Sequence, residues 1–316
     1  MVTQPLLPRP ALWRRMSART WRRTLAFYAF IGPWLAGFVL LGVVPLALAL
    51  FLSTTNYDGL NWGQWKFQGL GNYARAFSDN DARHAFVQTL RWTGLNLPLW
   101  MVLSFILALI LNQDVKGRGL FRTLYYLPNI IPIVATVWVW KIFLDKNYGL
   151  LNAIISLVRP GTAIPWLSTQ ALFGLTWIAV WSGMGWGMVI FLAGLQDIPD
   201  ELIDAARIDG AGSLQVFWHI TLPLMTPVIF LVLISGLIGS FQQFQLPLLL
   251  GTGTAQLSYP PRPVYLYMLH VYYQNFVYQR FGYGTALVWL IFIVILGLAL
   301  VLFRTQRYWV YYESAE

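Results

Sequence analysis

The sequence predicts an all-α integral membrane protein of six transmembrane helices, with a polar loop between the fourth and fifth. Two observations carry this. Of 316 residues, 58% are hydrophobic and only 10% charged. Soluble domains carry about 25% charged residues, so this much apolar surface cannot be hidden in one water-soluble core. Apolar windows of about 20 residues then recur along the chain. They fall near Leu25–Leu52, Phe86–Leu111, Leu124–Leu144, Ala171–Leu195, Pro223–Leu250 and Tyr283–Phe303.

The segment before the first window holds Arg9, Arg14, Arg15, Arg19, Arg22 and Arg23 and no acid, the pattern of an N-terminus retained in the cytoplasm. A secretory signal also starts basic, but this apolar run is too long and no small-residue cleavage site follows it. Residues 1–23 therefore read as a cytoplasmic basic segment, 24–305 as one six-span domain and 306–316 as a cytoplasmic tail. Six crossings place Lys116, Arg118 and Arg122 inside, with Arg207, Arg304 and Arg307. This topology accounts for the formal charge of +9; the cations do not gather into a patch with stacking aromatics, which argues against nucleic acid. The outer segments Ser53–Ala85, Asp145–Gln170 and Gly251–Gly282, the last with Pro260, Pro261 and Pro263, suit short interfacial helices and turns.

The loop over residues 197–223 breaks the basic pattern of its side. It carries Asp197, Asp200, Glu201, Asp204 and Asp209 against Arg207. Pro199 fits the first turn of a helix, where its missing N–H costs nothing, and Asp200 and Glu201 suit the positive end of the helix dipole. A short helix should run to about Asp209 and end at Gly210 and Gly212. Ser213 can cap a second short helix through Phe217 to Ile220, after which Pro223 opens the next span. Ala205, Ala206, Gly210 and Ala211 would give a small-residue face for another protein, or the segment is an ordinary solvated loop.

The pattern of an acid, Ala-Ala, three residues, Gly, nine residues and Ile-x-Leu-Pro resembles the coupling loop of the membrane subunits of binding-protein-dependent ABC importers. Asp204, Ala205, Ala206, Gly210, Ile220, Leu222 and Pro223 match its spacing, with Asp209 beside the glycine. The family usually has Glu where this chain has Asp204, which keeps the charge and shortens the reach. FQGLGNYARAF, GRGLFRTLYYLP and GLLN followed by PWLS resemble the carbohydrate-importing branch, related to the larger membrane subunit of the maltose importer; the resemblance covers most of residues 20–305. It implies the type I ABC importer permease fold in the inner membrane of a prokaryote. The implied partners are a second permease subunit forming a heterodimer, two copies of an ATPase and an extracytoplasmic sugar-binding protein. No G-x-x-x-x-G-K-[ST] occurs, so ATP and Mg are expected in the partner ATPase and no cofactor in this chain.

For the substrate, Gly236, Gly239, Ser240 and Gln243 recur at helical spacing on one face. Glutamines in a span are expensive unless they face a cavity, a partner or each other. The face therefore reads either as a sugar path, since Gln243 can donate to and accept from hydroxyls, or as helix–helix packing through small residues. The resemblance adds the helix before the loop, where Gly183 and Trp186 lie one turn apart and Trp186 could stack on a pyranose. Gln242 and Gln245 are weaker candidates.

His84, His219 and His270 lie too far apart in sequence to suggest a metal site, and the chain has no Cys. No acid falls inside any window, which argues against a proton- or sodium-coupled carrier. A glycerol-phosphate-type ABC permease, and after it a six-span channel or secondary carrier, are the competing readings. No convergent acid, base or nucleophile suggests an enzyme.

Overall fold

A computed structural model describes residues 18–113, 116–251 and 261–311. Arg9, Arg14, Arg15, Asp114, Pro260 and the tail from residue 312 lie outside them. The described residues form helices joined by loops, with no strand beyond one isolated bridge between Thr55 and Phe67. Five helical stretches are long and apolar enough to cross a membrane, and a bent helix pair makes a sixth. The chain divides into two compact units at residue 51.

The first unit is one helical run. α1 (Ala18–Phe38) passes through a π-helical turn at Val39–Val43 into α2 (Val44–Ser53). The 33-residue stretch Trp21–Ser53 exceeds the roughly 20 residues that a bilayer core requires. Phe30, Trp34 and Leu41 are exposed along it, as an apolar solvent permits.

In the second unit, α3 (Gly71–Ser78) precedes the long α4 (Asn80–Asn112). The Asn72 amide donates to the Ser53 and Thr55 carbonyls at 2.9 and 2.6 Å, tying α3 to the loop before it. α4 packs along α8 (Ala171–Gln196), and their shared core includes Leu97, Trp100, Ala108, Met188, Phe191 and Leu195. The glycines of α8 explain the close approach. A Cβ at Gly187 would lie 2.7 Å from Ser104 Oγ, one at Gly183 would lie 3.2 Å from Trp100 Nε1, and one at Gly185 would meet the Tyr125 carbonyl. Small residues let helices meet where lipid gives no hydrophobic drive to associate.

The third apolar window, expected as a single helix over Leu124–Leu144, is instead two. α5 (Arg118–Ile130) and α6 (Ile133–Phe143) meet at 97°. Pro132 has no N–H, and the residue before a proline is pushed out of the helical region. Ile131 accordingly sits at φ −65°, ψ 131°. Beyond α6, α7 (Leu150–Val158) is held by Asn152. Its amide donates to the carbonyls of Lys146 and Ile164, and its Oδ1 accepts Trp166 Nε1–H at 2.9 Å.

After α8 come α9 (Asp200–Ile208) and α10 (Ser213–Val216). Through a π-helical segment at Phe217–Thr221, α10 continues into α11 (Leu222–Phe241), so the expected second loop helix is not separate from the span. The fifth window, expected as one helix over Pro223–Leu250, is also interrupted. Gln242, Gln243 and Phe244 are non-helical before α12 (Gln245–Gly251). Pro247 lacks the N–H that would bond the Gln243 carbonyl, and its ring crowds that oxygen. The Gln243 N–H donates to the Ser240 carbonyl at 3.3 Å, three residues back, in the turn that follows α11.

α13 (Tyr267–Tyr272) and the last span, α14 (Phe281–Thr305), complete the fold. On the face from which α4 and α14 start, Asp79 joins them. Its carboxylate caps α4 by accepting the N–H groups of Asp81 and Ala82 at 2.8 and 3.2 Å, and accepts the Tyr283 hydroxyl at 2.7 Å. His270, buried in α13, lies 3.7 Å from the same carboxylate and bonds the Tyr265 hydroxyl at 2.9 Å. Burial alone would raise the Asp79 carboxyl, but the Tyr283 hydroxyl, the capping N–H groups and His270 together hold it below its usual value. Burial dominates at His270 and holds the imidazole below 6.5 against the pull of Asp79.

Both groups have depressed folded-state values, so their contribution is complete at neutral pH and is lost as pH falls through them. Melting of the detergent-purified protein should therefore shift to lower temperature as the buffer is acidified below pH 6.5. Asp79→Ala should cost about 1–2 kcal/mol through the lost cap. An unchanged melting temperature in that variant would contradict the assigned role.

Candidate functional site

A cavity of about 360 Å³ lies where the two helix interruptions meet α4, α8 and α11. Trp92, Asn96 and Trp100 supply one wall at i, i+4 and i+8 on α4. Pro128, Asn129, Ile131 and Thr136 come from the α5–α6 bend, and Ser182 and Gly183 from α8. Gly236, Gly239 and Ser240 end α11, and Gln243 stands in the non-helical segment. Non-helical backbone at membrane depth is tolerated where it lines a cavity or is buried in protein.

Four of the residues anticipated on the face after the loop, Gly236, Gly239, Ser240 and Gln243, thus meet at the cavity, although the helix stops before Gln243. Gly183 lines it as well. Trp186 does not; its ring stacks on Trp100 at 5.9 Å with planes 19° apart. Gln242 and Gln245 are exposed and away from the cavity lining. Trp92, Asn96, Asn129 and Thr136 escaped sequence reasoning, though the Trp-x-x-x-Asn-x-x-x-Trp stripe within an apolar window was visible.

The lining is chemically uniform in one respect: it contains no charged side chain. Trp92 Nε1, Asn96 Oδ1 and Thr136 Oγ1 have no hydrogen-bond partner among the described residues. Indole faces, amides and hydroxyls suit a neutral, hydroxyl-rich solute. No acid, base or nucleophile converges there, and the described residues hold no group of three metal-ligating side chains.

The second site is the loop between α8 and α11. Pro199 caps α9 in extended conformation, φ −60°, ψ 128°, instead of entering its first turn. The far end of α9 closes as a Schellman motif. Gly210 N–H donates to the Arg207 carbonyl and Ala211 N–H to Ala206, with Gly210 at φ +84°. α10 is capped by Gly212, not by Ser213; the Gln215 amide oxygen accepts the Gly212 N–H at 2.8 Å. The bend leaves a groove of about 320 Å³ lined by Ala206, Asp209, Gly210, Ala211, His219 and Ile220, among others.

Ala205 and Asp204 are exposed outside that groove, and Leu222 and Pro223 are half-buried where α11 begins. Asp204 pairs with Arg207 at 3.3 Å, three residues on. Such an exposed pair contributes little to stability and leaves the carboxylate available to a partner.

The model of the family described as binding-protein-dependent transport system inner membrane component matches residues 101–310. The probable ABC transporter permease protein YesP of Bacillus subtilis (strain 168) is 36% identical over 92% of this chain and 94% of its own length. The trehalose/maltose transport system permease protein MalF of Thermococcus litoralis is 30% identical over 89% of this chain and 93% of its own. A crystal structure of a bacterial ABC transporter involved in importing the acidic polysaccharide alginate superposes with TM-score 0.76 over 92% of this chain and 98% of that one, at 23% identity. The fold is that of a type I ABC importer permease. This chain belongs to the family of inner-membrane components of binding-protein-dependent transport systems.

The cavity glycines differ in what surrounds them. A Cβ at Gly236 would lie 2.5 Å from Leu97 Cδ1 and 2.8 Å from Trp100, whereas one at Gly239 meets nothing within 4 Å. Gly236→Leu should therefore destabilise the protein by about 1–3 kcal/mol. Gly239→Leu should leave its melting temperature and yield unchanged while lowering solute uptake by about tenfold, the equivalent of lost contacts on the same scale. Full uptake by a folded Gly239→Leu variant would remove the cavity from the path.

Proposed function

We infer that this chain is the permease subunit of an ATP-driven carbohydrate importer, forming half of the translocation pathway beside a second permease. The observation that carries the reading is the uncharged cavity of indoles, amides and hydroxyls at two helix interruptions. The permease names of its relatives, trehalose and maltose among them, agree with it. A glycerol phosphate would call for a cation to meet its charge, and none lines the cavity.

Within that reading, Trp92, Asn96, Trp100, Ser240 and Gln243 contact the sugar, Gly239 leaves room for it, and Gly183 and Gly236 let Trp100 pack into the cavity wall. Trp186 acts by backing Trp100, and Gln242 has no direct part. An extracytoplasmic binding protein delivers the substrate to the face from which α4 and α14 start. The protein sits in the cytoplasmic membrane of a prokaryote, with both termini inside, as the basic residues Arg19, Arg22, Arg23, Arg304 and Arg307 favour.

The loop from Asp204 to Pro223 receives one of two ATPase subunits, which bind the ATP and Mg. Ala206, Asp209, Gly210 and Ile220 form its groove, Asp204 and Ala205 its rim, and Leu222 and Pro223 join it to α11. Because α10 runs into α11 without a break, displacement of the groove is carried along the helix that carries Ser240 and ends at Phe241, just before Gln243. A rigid element of this kind can link two discrete states.

Gly210→Val tests the link. The left-handed backbone costs a non-glycine residue about 1–2 kcal/mol, and the branched side chain enters the groove. With the subunits co-purified and reconstituted with the binding protein, sugar should stimulate ATPase activity in the unaltered complex. In the variant the stimulation should be lost or the ATPase should no longer co-purify, with the membrane subunit still folded. Normal uptake by Gly210→Val would refute this role for the loop.

A further inference from the structure

Six aromatic rings run in file from the loop after α2 to the edge of the cavity. Trp62 stacks on Tyr57 with centroids 4.9 Å apart and planes at 20°. Tyr57 is 6.3 Å from Phe281, Phe281 is 5.6 Å from Phe276, and Phe276 is 5.2 Å from Tyr272. Tyr272 stacks on Phe244 at 5.9 Å and 21°. Phe244 directly follows Gln243, which lines the cavity.

The file is not a by-product of helix periodicity. Its members come from the loop after α2, the interruption between α11 and α12, the end of α13, a π-helical segment at Tyr273–Val277 and the start of α14. Backbone constraints hold it in line. Gly59, at φ +92°, leaves no room for a Cβ against the Phe281 ring, and the Gly282 N–H donates to the Tyr57 carbonyl at 2.9 Å. None of the six rings is buried, and Trp62 and Phe276 are 58% and 63% exposed. Core rings close over one another; these keep accessible surface from one end of the file to the other.

We propose that this file is an aromatic track along which an oligosaccharide passes from the outer face to the cavity. The proposal rests on the carbohydrate reading above and extends it to chain length. The C–H faces of sugar rings lie on aromatic faces through many weak dispersion contacts. Successive rings offer such contacts at similar strength, so a sugar chain can advance one unit at a time without a deep trap. A cavity of about 360 Å³ holds the leading units, and the track supports those behind.

The test uses the complete transporter with its binding protein in proteoliposomes, supplied with two oligosaccharide series, glucose-linked and arabinose-linked, from disaccharide to hexasaccharide. In Trp62→Ala and Phe276→Ala, the transport rate of the hexasaccharide relative to the disaccharide should fall about three- to tenfold, the size of a lost ring contact. Basal ATPase activity and melting temperature should stay unchanged, and Trp62→Phe and Phe276→Tyr should restore the ratio. An unaltered ratio overturns the track. A loss equal at every length also overturns it, and assigns the rings to binding-protein docking. If neither series stimulates the unaltered transporter, the carbohydrate reading itself fails, and the track with it.

Discussion

Inside a bilayer every backbone N–H and C=O must find a partner within the protein or in a polar cavity. This constraint makes two prolines the most consequential residues of the second unit. Pro132 forces Ile131 out of the helix, and Pro247 removes the bond that would carry α11 onward through Gln243. Each break leaves backbone that lipid cannot solvate. The protein places both breaks against one space and surrounds them with the amides and hydroxyls of Asn96, Asn129, Thr136, Ser240 and Gln243. A requirement of backbone chemistry thus also produces the polar interior.

The walls of that space depend on close packing that side chains would prevent. Gly183 and Gly187 admit α4, and Gly185 on the opposite side of α8 admits the backbone of α5. Gly236 makes the same allowance for Leu97 and Trp100 from α11. These glycines hold Trp100 between three helices, with Trp186 behind it, while Gly239 leaves its share of the volume open. Small residues in one apolar chain therefore do two different things, and only the neighbours on other helices distinguish them.

That dependence on neighbours decides what could be read from the sequence. α9 and its end at Gly210 were legible because proline, acidic residues and glycine act within one turn. The windows were legible because hydropathy sums over 20 residues, and for the same reason the breaks at Ile131 and Gln243 were averaged away, although Pro132 and Pro247 stood in view. The union of α10 with α11 was missed because a π-helical segment leaves no mark in hydropathy. The grouping of Gly236, Gly239, Ser240 and Gln243 was visible as a periodicity. Trp92 and Asn96 belong to the same space only through a tertiary contact. Trp186 pointed to a stacking surface for the opposite reason: nothing in the sequence announces that Trp100 covers it.

The uncharged lining has an electrical meaning. Carrying one elementary charge across a membrane potential exchanges about 2.3 kcal/mol per 100 mV. The cavity presents no ionised group to that field and asks for none from its cargo. Voltage therefore does no work on this lining, and the neutral solute of the proposed function would be held neither in nor out by the membrane potential. In the proposed transporter, direction is imposed mechanically, through the loop after α8.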